Sequence, residues 1–210
     1  MRSTLSAVRL AFCFAPMLMG QSGPDPESTG ATYQPLTNDG RLRWFAWSTI
    51  GPLGDIGGIV ISGWGTLWNA PHEYGTHWAG FGKRYGMRLT GISVSNAAEA
   101  GLGALWGEDP RYFRTNEAPI KSRIGHIIKM TFLATGRDGR PVPAYARYIA
   151  IPGNNFLSDT WRAPSDATLG SAGLRTGLGF LGRMARNTFE EFWPDIQHRL
   201  LKKHSEPPAN

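Results

Sequence analysis

Hydrophobic residues recur along this chain at helical rather than strand spacing. From Ile120 to Gly136, the stretch IKSRIGHIIKMTFLATG puts Ile120, Ile124, Ile127, Ile128 and Thr131 on one face, with Lys121, Arg123, His126 and Lys129 elsewhere. That is an amphipathic helix with a proline before its start and a glycine after its end. Upstream, Thr37 or Asn38 offers an N-cap for a short helix whose Trp44, Phe45 and Trp47 sit close to Arg41 and Arg43, the composition of a membrane-interface anchor. The segment GPLGDIGGIVISGWGTLWNAP, 51–71, carries Asp55 as its one formal charge. It is too rich in glycine for an ordinary spanning segment and predicts a buried helix ended by Pro71. GEDPRYF stops the helix before it, and GRDGRPVP is a turn-rich loop. AYARYIAIPGNNFLSDTW predicts a further helix, broken at Pro152 and restarted from Asn154.

A third kind of pattern is made of small residues. Ala97, Gly101 and Leu105 fall four apart, as do Gly103 and Gly107; Gly170, Gly173 and Gly177 lie three and four apart, with Gly182 beyond. Glycine costs about 1 kcal/mol relative to alanine inside a helix, so its recurrence at helical spacing calls for a compensating close approach of another helix. The expected helix-packing residues are therefore Ala97, Gly101, Gly103, Gly107, Gly173, Gly177 and Gly182. The words GLGAL at 101–105 and GLGFL at 177–181 match, which fits either a faint duplication or chance in a glycine-rich chain. The predicted fold is all-α: a Gly/Ala-rich bundle of about five or six helices, suited to membrane association. A membrane β-barrel needs repeated segments of about ten alternating residues, and the pattern does not supply them.

Length and composition bound this picture. The chain has 210 residues, 41% of them hydrophobic, with 27 Gly, 15 Pro and 8 Trp, enough for one domain with a real core. Arg2 and Arg9, the apolar run LAFCFAPMLMG and the polar QSGPDPES together make a signal-peptide pattern over 1–22. The expected order is then a disordered leader at 23–36, a helical domain at 37–196 and a frayed basic tail at 197–210. Removing the signal takes away two arginines and no acid, lowering the net charge from +6 to +4. It also removes Cys13, the one cysteine, leaving neither a disulfide nor a thiolate metal site in the mature chain. The predicted location is the cell envelope, periplasm or membrane. There lipid or an envelope component, or a second copy of the chain, is an accessible partner, and nucleic acid is not.

Candidate chemistry is sparse. His72, Glu73 and His77 read HExxxH, whereas a zinc-binding HExxH helix sets its histidines four apart on one face. The default for this cluster is a polar interhelical turn, with no metal and no cofactor expected. Glu108 and Asp109 beside Arg111 are either a functional carboxylate pair or, more simply, a helix terminus pinned by an ion pair.

The words FGKRYG, EDPRYF, RDGRPVPAYAR and FWPD, in this order, resemble a family of uncharacterised bacterial exported, Gly-rich envelope proteins. The resemblance covers about Leu36 to Ile196 and implies envelope location and a shared helical architecture. It carries over no catalytic residue, because no activity is assigned to that family. The functional expectation is a noncatalytic envelope protein, associated with membrane or with itself through small-residue helix faces. The alternatives are an envelope hydrolase built on His72, Glu73 and His77 with Glu108 or Asp109 nearby, and a soluble periplasmic binding module.

Overall fold

The computed structural model describes residues 33–115 and 118–205; the expected signal peptide lies outside the described residues, as does most of the leader. Among the described residues, six α-helices carry the fold: α1 Asn38–Ile50, α2 Pro52–Leu67, α3 Trp78–Trp106, α4 Ile120–Phe132, α5 Tyr145–Leu157 and α6 Leu169–Ser205. An antiparallel hairpin, β1 Leu133–Thr135 with β2 Pro141–Pro143, separates α4 from α5. The all-α bundle expected from periodicity is what the chain forms.

Local chemistry sets the boundaries. Thr37 Oγ1 accepts from the Gly40 N–H at 3.1 Å and caps α1. Pro52 opens α2, and Gly51 before it leaves no room for a side chain against the Trp47 carbonyl. Gly107, at φ 78°, closes α3 in the left-handed conformation that favours glycine. Pro152, expected to break its helix, does not, and a second helix also runs through a proline. α5 runs through Pro152 and α6 through Pro194 as far as Ser205, so the expected tail is still helical there. Proline removes a ladder donor and loosens nearby carbonyls; at Pro194 the adjacent Glu191 carbonyl is taken by Arg123 Nη2 at 2.6 Å and Arg114 Nε at 3.1 Å. The last leader residues are also tied down, with the Tyr33 hydroxyl donating to Asp109 Oδ2 at 3.1 Å and the Gln34 carbonyl accepting from Arg111.

The two halves of the chain repeat one another. α4 starts and ends 82 positions after α1, and α6 starts 91 positions after α3 (Asn38 to Ile120, Trp78 to Leu169). At that second offset Gly82, Arg84, Gly86, Gly91, Asn96 and Glu99 meet Gly173, Arg175, Gly177, Gly182, Asn187 and Glu190. Equivalent residues make equivalent bonds. Asn96 Nδ2 donates to Thr49 Oγ1 at 3.2 Å, and Asn187 Nδ2 to Thr131 Oγ1 at 3.4 Å. Arg41 reaches the Ala100 carbonyl, and Arg123 the Glu191 carbonyl. Arg84 Nη1 donates to the Gly75 carbonyl at 2.6 Å, and Arg175 Nη1 to the Asp166 carbonyl at 2.7 Å, each arginine tying down the turn before its helix. The matching words GLGAL and GLGFL are out of register with this repeat, since the counterpart of Gly101 is Phe192.

Each half is a hairpin of one long helix and two shorter ones laid end to end against it. Asn96 meets Thr49 and Tyr85 meets Asp55, so α1 and α2 both run antiparallel to α3. In the second half Asn187 meets Thr131, and Gly179 lies against Ile151, so α4 and α5 run antiparallel to α6. The two short-to-long contacts exchange sizes. A Cβ on Gly58 would lie 2.6 Å from Arg88, whereas in the second half the large residue is Ile151 on the short helix and the small one Gly179 on the long helix. α5 also packs along α3, joining the halves.

The two kinds of glycine on α6 should respond oppositely to alanine. Gly179→Ala puts a methyl 2.7 Å from Ile151 Cγ2 and should cost about 1–3 kcal/mol. Gly177→Ala meets nothing within 4 Å and should stabilise the isolated chain by about 0.5–1 kcal/mol. Thermal unfolding of the two variants checks this; equal effects would show that α6 is oriented otherwise.

Candidate functional site

The largest side chains sealed inside this bundle are polar. Arg147 is 2% exposed and Glu191 0%, followed among the largest by Asn187, Thr131 and Asp109. Charged residues are rarely buried this deeply unless paired, and here they are. Glu99 Oε1 on α3 accepts from Arg147 Nε of α5 at 2.9 Å and Arg183 Nη2 of α6 at 2.8 Å. Arg147 Nη1 also donates to the carbonyls of Met130, Thr131 and Leu133, satisfying the end of α4. Arg183 reaches the Pro110 carbonyl at 2.7 Å and lies over the Trp44 ring. Burial, and then the charge of Arg147, push its guanidinium down to about 9, opposed by Glu99.

A second cluster holds α4 to α6. Arg123 donates to Glu191 Oε1 at 2.7 Å and Asp195 Oδ2 at 2.6 Å, while its guanidinium covers the Phe192 ring at 4.3 Å. The Tyr112 hydroxyl donates to Glu191 Oε2 at 2.8 Å. Burial and that carboxylate raise the Tyr112 pKa. Hydrogen bonds from Arg123, ahead of its charge, hold Asp195 below the usual carboxylate range.

Large apolar side chains occupy the outside instead. On α2, Ile56, Ile59, Val60, Ile61, Trp64 and Leu67 are exposed; on α4, Ile120, Ile124, Ile128 and Phe132; on α6, Leu174, Leu178 and Leu181. The amphipathic helix expected at 120–131 is therefore rotated from the expected orientation, with Lys121 and Lys129 still exposed. Ile127 and Thr131 are buried, but three isoleucines of the expected face point outward while Arg123 and His126 reach protein partners, His126 Nε2 lying 2.9 Å from the Phe113 carbonyl. Exposed tryptophans gather where α2 turns into α3 and α5 into α6: Trp64, Trp68, Trp78 at 86% exposure, and Trp161. These turns share one end of the bundle, since Ser165 N and Oγ both donate to Glu73.

The glycine expectations need correcting. Ala97, Gly101, Gly173, Gly177 and Gly182 are exposed, and a Cβ on any of these four glycines would meet nothing within 4 Å. On these helices the buried positions are taken by Arg84, Gly91, Glu99, Ala172, Asn187 and Glu191 among others, and these small residues lie on the outer face. Gly103 is buried against Glu108 and Arg41, and Gly107 is a helix terminator covered by Arg137. Among the expected interface aromatics, Trp44 is 8% exposed and belongs to the core, while Phe45 and Trp47 are half-buried.

Glu108 and Asp109 lie at the other end of α3 from His72, Glu73 and His77, roughly 43 Å away for a helix of 29 residues, so the two groups do not form one site. His72 Nδ1 is 3.5 Å from Glu73 Oε2, His77 is exposed as the N-cap of α3, and Glu73 is engaged by Ser165. No group of residues able to hold a metal ion occurs among the described residues. Asp109 is clasped by Arg111, with Nη2 to Oδ2 at 2.6 Å, and its backbone bridges to Thr135. Burial first, and Asp109 second, push the Tyr33 hydroxyl up to about 12. Glu108 Oε2 accepts from the Ala146 N–H at 3.1 Å at the start of α5. An open groove of about 480 Å³ runs beside α3, lined by Glu73, Tyr74, Lys83, Met87, Trp161 and Arg162 among others. Asp55 accepts from the Tyr85 hydroxyl at 3.2 Å.

No protein-family model, curated protein or solved structure matches the chain. No described helix is long and apolar enough to cross a membrane.

Burial raises Glu108 above its usual 4.5, against the pull of the Ala146 and Tyr145 N–H groups and Arg147. A carboxyl with a raised folded pKa costs no stability below its unfolded pKa; the cost grows as pH rises from there through the folded value and then stays. Glu108→Gln keeps an acceptor for Ala146 and removes that cost. It should stabilise the protein at neutral pH and lose this advantage below the unfolded carboxylate range, as urea unfolding at several pH values will show. A loss of stability at neutral pH would mean that Glu108 is needed ionised.

Proposed function

We propose that the protein is a noncatalytic component of the cell envelope that works through its outer helix faces, which hold it against membrane lipid. One observation carries this reading: the largest fully buried side chains are polar or charged, while many isoleucines, leucines and tryptophans lie exposed. A chain surrounded by water gains by burying isoleucine, leucine and tryptophan, and contiguous apolar surfaces of this kind mark sites of membrane or protein association. Ion pairs turned inward, with aliphatic residues and unfilled glycines outward, suit an apolar surrounding. The tryptophans at one end of the bundle have the chemistry of an interfacial anchor, with an apolar ring and a single N–H donor. Arg2, Arg9 and the apolar run after them support export, as does the resemblance to exported Gly-rich proteins.

Self-association is the second reading, favoured by the outward glycines Gly173, Gly177 and Gly182, where a partner helix can approach to backbone distance. The hydrolase reading loses Glu108 and Asp109, which lie at the opposite end of α3, and is left with His72, Glu73 and His77. The binding-module reading rests on the open groove beside α3, which has Glu73, Lys83 and Arg162 on its walls.

Flotation with vesicles tests the lipid reading. The purified mature protein should rise with zwitterionic vesicles and remain on them through an alkaline carbonate wash. Trp64→Ser together with Trp78→Ser should weaken that retention. A protein that stays at the bottom of the gradient, as a monodisperse monomer, contradicts the reading.

A further inference from the structure

The internal repeat leaves one interface used once and exposed once. Within the chain, α3 of the first half packs on α5 of the second. Gly91 faces Asn154 there, a Cβ on it lying 3.4 Å from Nδ2, and Glu99 faces Arg147. The counterparts of Gly91 and Glu99 on α6 are Gly182 and Glu190. Gly182 is exposed with nothing within 4 Å of a Cβ, and Glu190 is paired along its own helix, with Arg186 at 2.7 Å.

The other side of the interface also has an uncovered counterpart. α5 starts 93 positions after α2, an offset that matches Ile56 with Ile149, Gly58 with Ile151, Ser62 with Asn155 and Trp68 with Trp161. The two members of each pair share a burial class: exposed, buried, buried and exposed in turn. The stripe of α5 that is buried but whose counterparts are not is Arg147, Ala150 and Asn154, matched on α2 by Gly54, Gly57 and Ile61. Ile61 is 61% exposed. The chain thus presents a vacant copy of the α3 surface at Gly182 on α6, and on α2 a copy of the α5 surface that is open at Ile61 and half-buried at Gly54 and Gly57, where Arg88 lies alongside.

We infer that α6 of one copy docks on α2 of a second copy, repeating between chains the packing of α3 on α5 within one chain. Ile61 of the second copy then covers Gly182, as Asn154 covers Gly91. Both apply a larger side chain to a bare glycine. Gly54, standing where α5 has Arg147, leaves space opposite Glu190 for its existing partner Arg186. Two different surfaces meet, so each pairing leaves one of each kind free, and the assembly grows head to tail into a ring or a filament rather than stopping at a symmetric dimer. This rests on the reading that the outer helix faces are docking surfaces, and it assigns one part of them to the protein itself.

Cysteine cross-linking in a Cys13→Ser background tests the register. One preparation carries Gly182→Cys, a second Ile61→Cys, and a third carries Gly91→Cys with Asn154→Cys as an in-chain control. Mild oxidation of the first two mixed together should give a disulfide-linked dimer that neither gives alone, and a chain carrying both substitutions should give a ladder on a non-reducing gel. Adding Ile61→Glu to the Gly182→Cys chain removes one docking surface and leaves the other, so mixed with Ile61→Cys it should still cross-link through its α6. The control should cross-link within one chain. The inference is overturned if the mixture gives no dimer while the control forms its bond, if each preparation dimerises with itself as readily as with the other, or if the doubly substituted chain closes only on itself. Vesicle flotation of the same samples separates the two readings: binding without cross-links leaves the lipid reading standing alone, and cross-links without binding leave only self-association.

Discussion

The carboxylate of Glu99, held between the guanidinium groups of Arg147 and Arg183, is the contact on which the arrangement of helices depends. It joins α3, α5 and α6 at one point, and Arg147 extends it to the last carbonyls of α4. Two cations and one anion are stable in so dry a place only if every hydrogen-bonding group is answered, because desolvating each charge costs several kcal/mol. Carbonyls of Met130, Thr131, Leu133 and Pro110 answer most of what Glu99 leaves. Such a contact tolerates little displacement, so it fixes how the first half of the chain meets the second.

The rest of the molecule follows from filling the interior with charge. Arg84 and Arg175 bind the turns that precede the two long helices, Arg123 locks α4 on α6, and Asp109 with Arg111 and Tyr33 holds the passage between halves. Helix faces used in this way leave room for few large aliphatic residues, Ile127 and Ile151 among them, and most isoleucines and leucines named above lie outside. The apolar surface is therefore the complement of the charged interior, and the proposed contacts with lipid and with further copies are what that surface is suited to.

Much of the helical content was legible in the sequence. Pro119 marked the start of α4 and Gly107 a real break, and the all-α class followed from spacing, although the helix expected to run to Gly136 stops at Phe132 and gives way to β1. The direction in which the faces point was not legible. Periodicity separates two sides of a helix without saying which is buried, and the usual assumption that isoleucine goes inward failed at Ile120, Ile124 and Ile128. The glycine argument failed for the same reason at Gly173 and Gly177: spacing located a bare stripe but not what lies against it. Asp109 pairs with its sequence neighbour Arg111, a contact that proximity in the chain makes visible, whereas nothing local marks Glu99, Arg147 and Arg183 as partners, since they stand 48 and 84 positions from one another along the bonds they make. The repeat was hidden too. Its six identities are scattered along two long helices, and the one contiguous match, GLGAL with GLGFL, pointed to a false register.

A double-mutant cycle on Glu99 and Arg147 measures the central contact most directly, using Glu99→Gln, Arg147→Met and both together in equilibrium unfolding. Breaking a buried pair by removing one partner costs about 3–5 kcal/mol, so each single variant should be strongly destabilised and the double variant far less than their sum. Effects that add to within about 0.5 kcal/mol would show that the two groups stand apart, and the account of a bundle organised around buried charge would be contradicted.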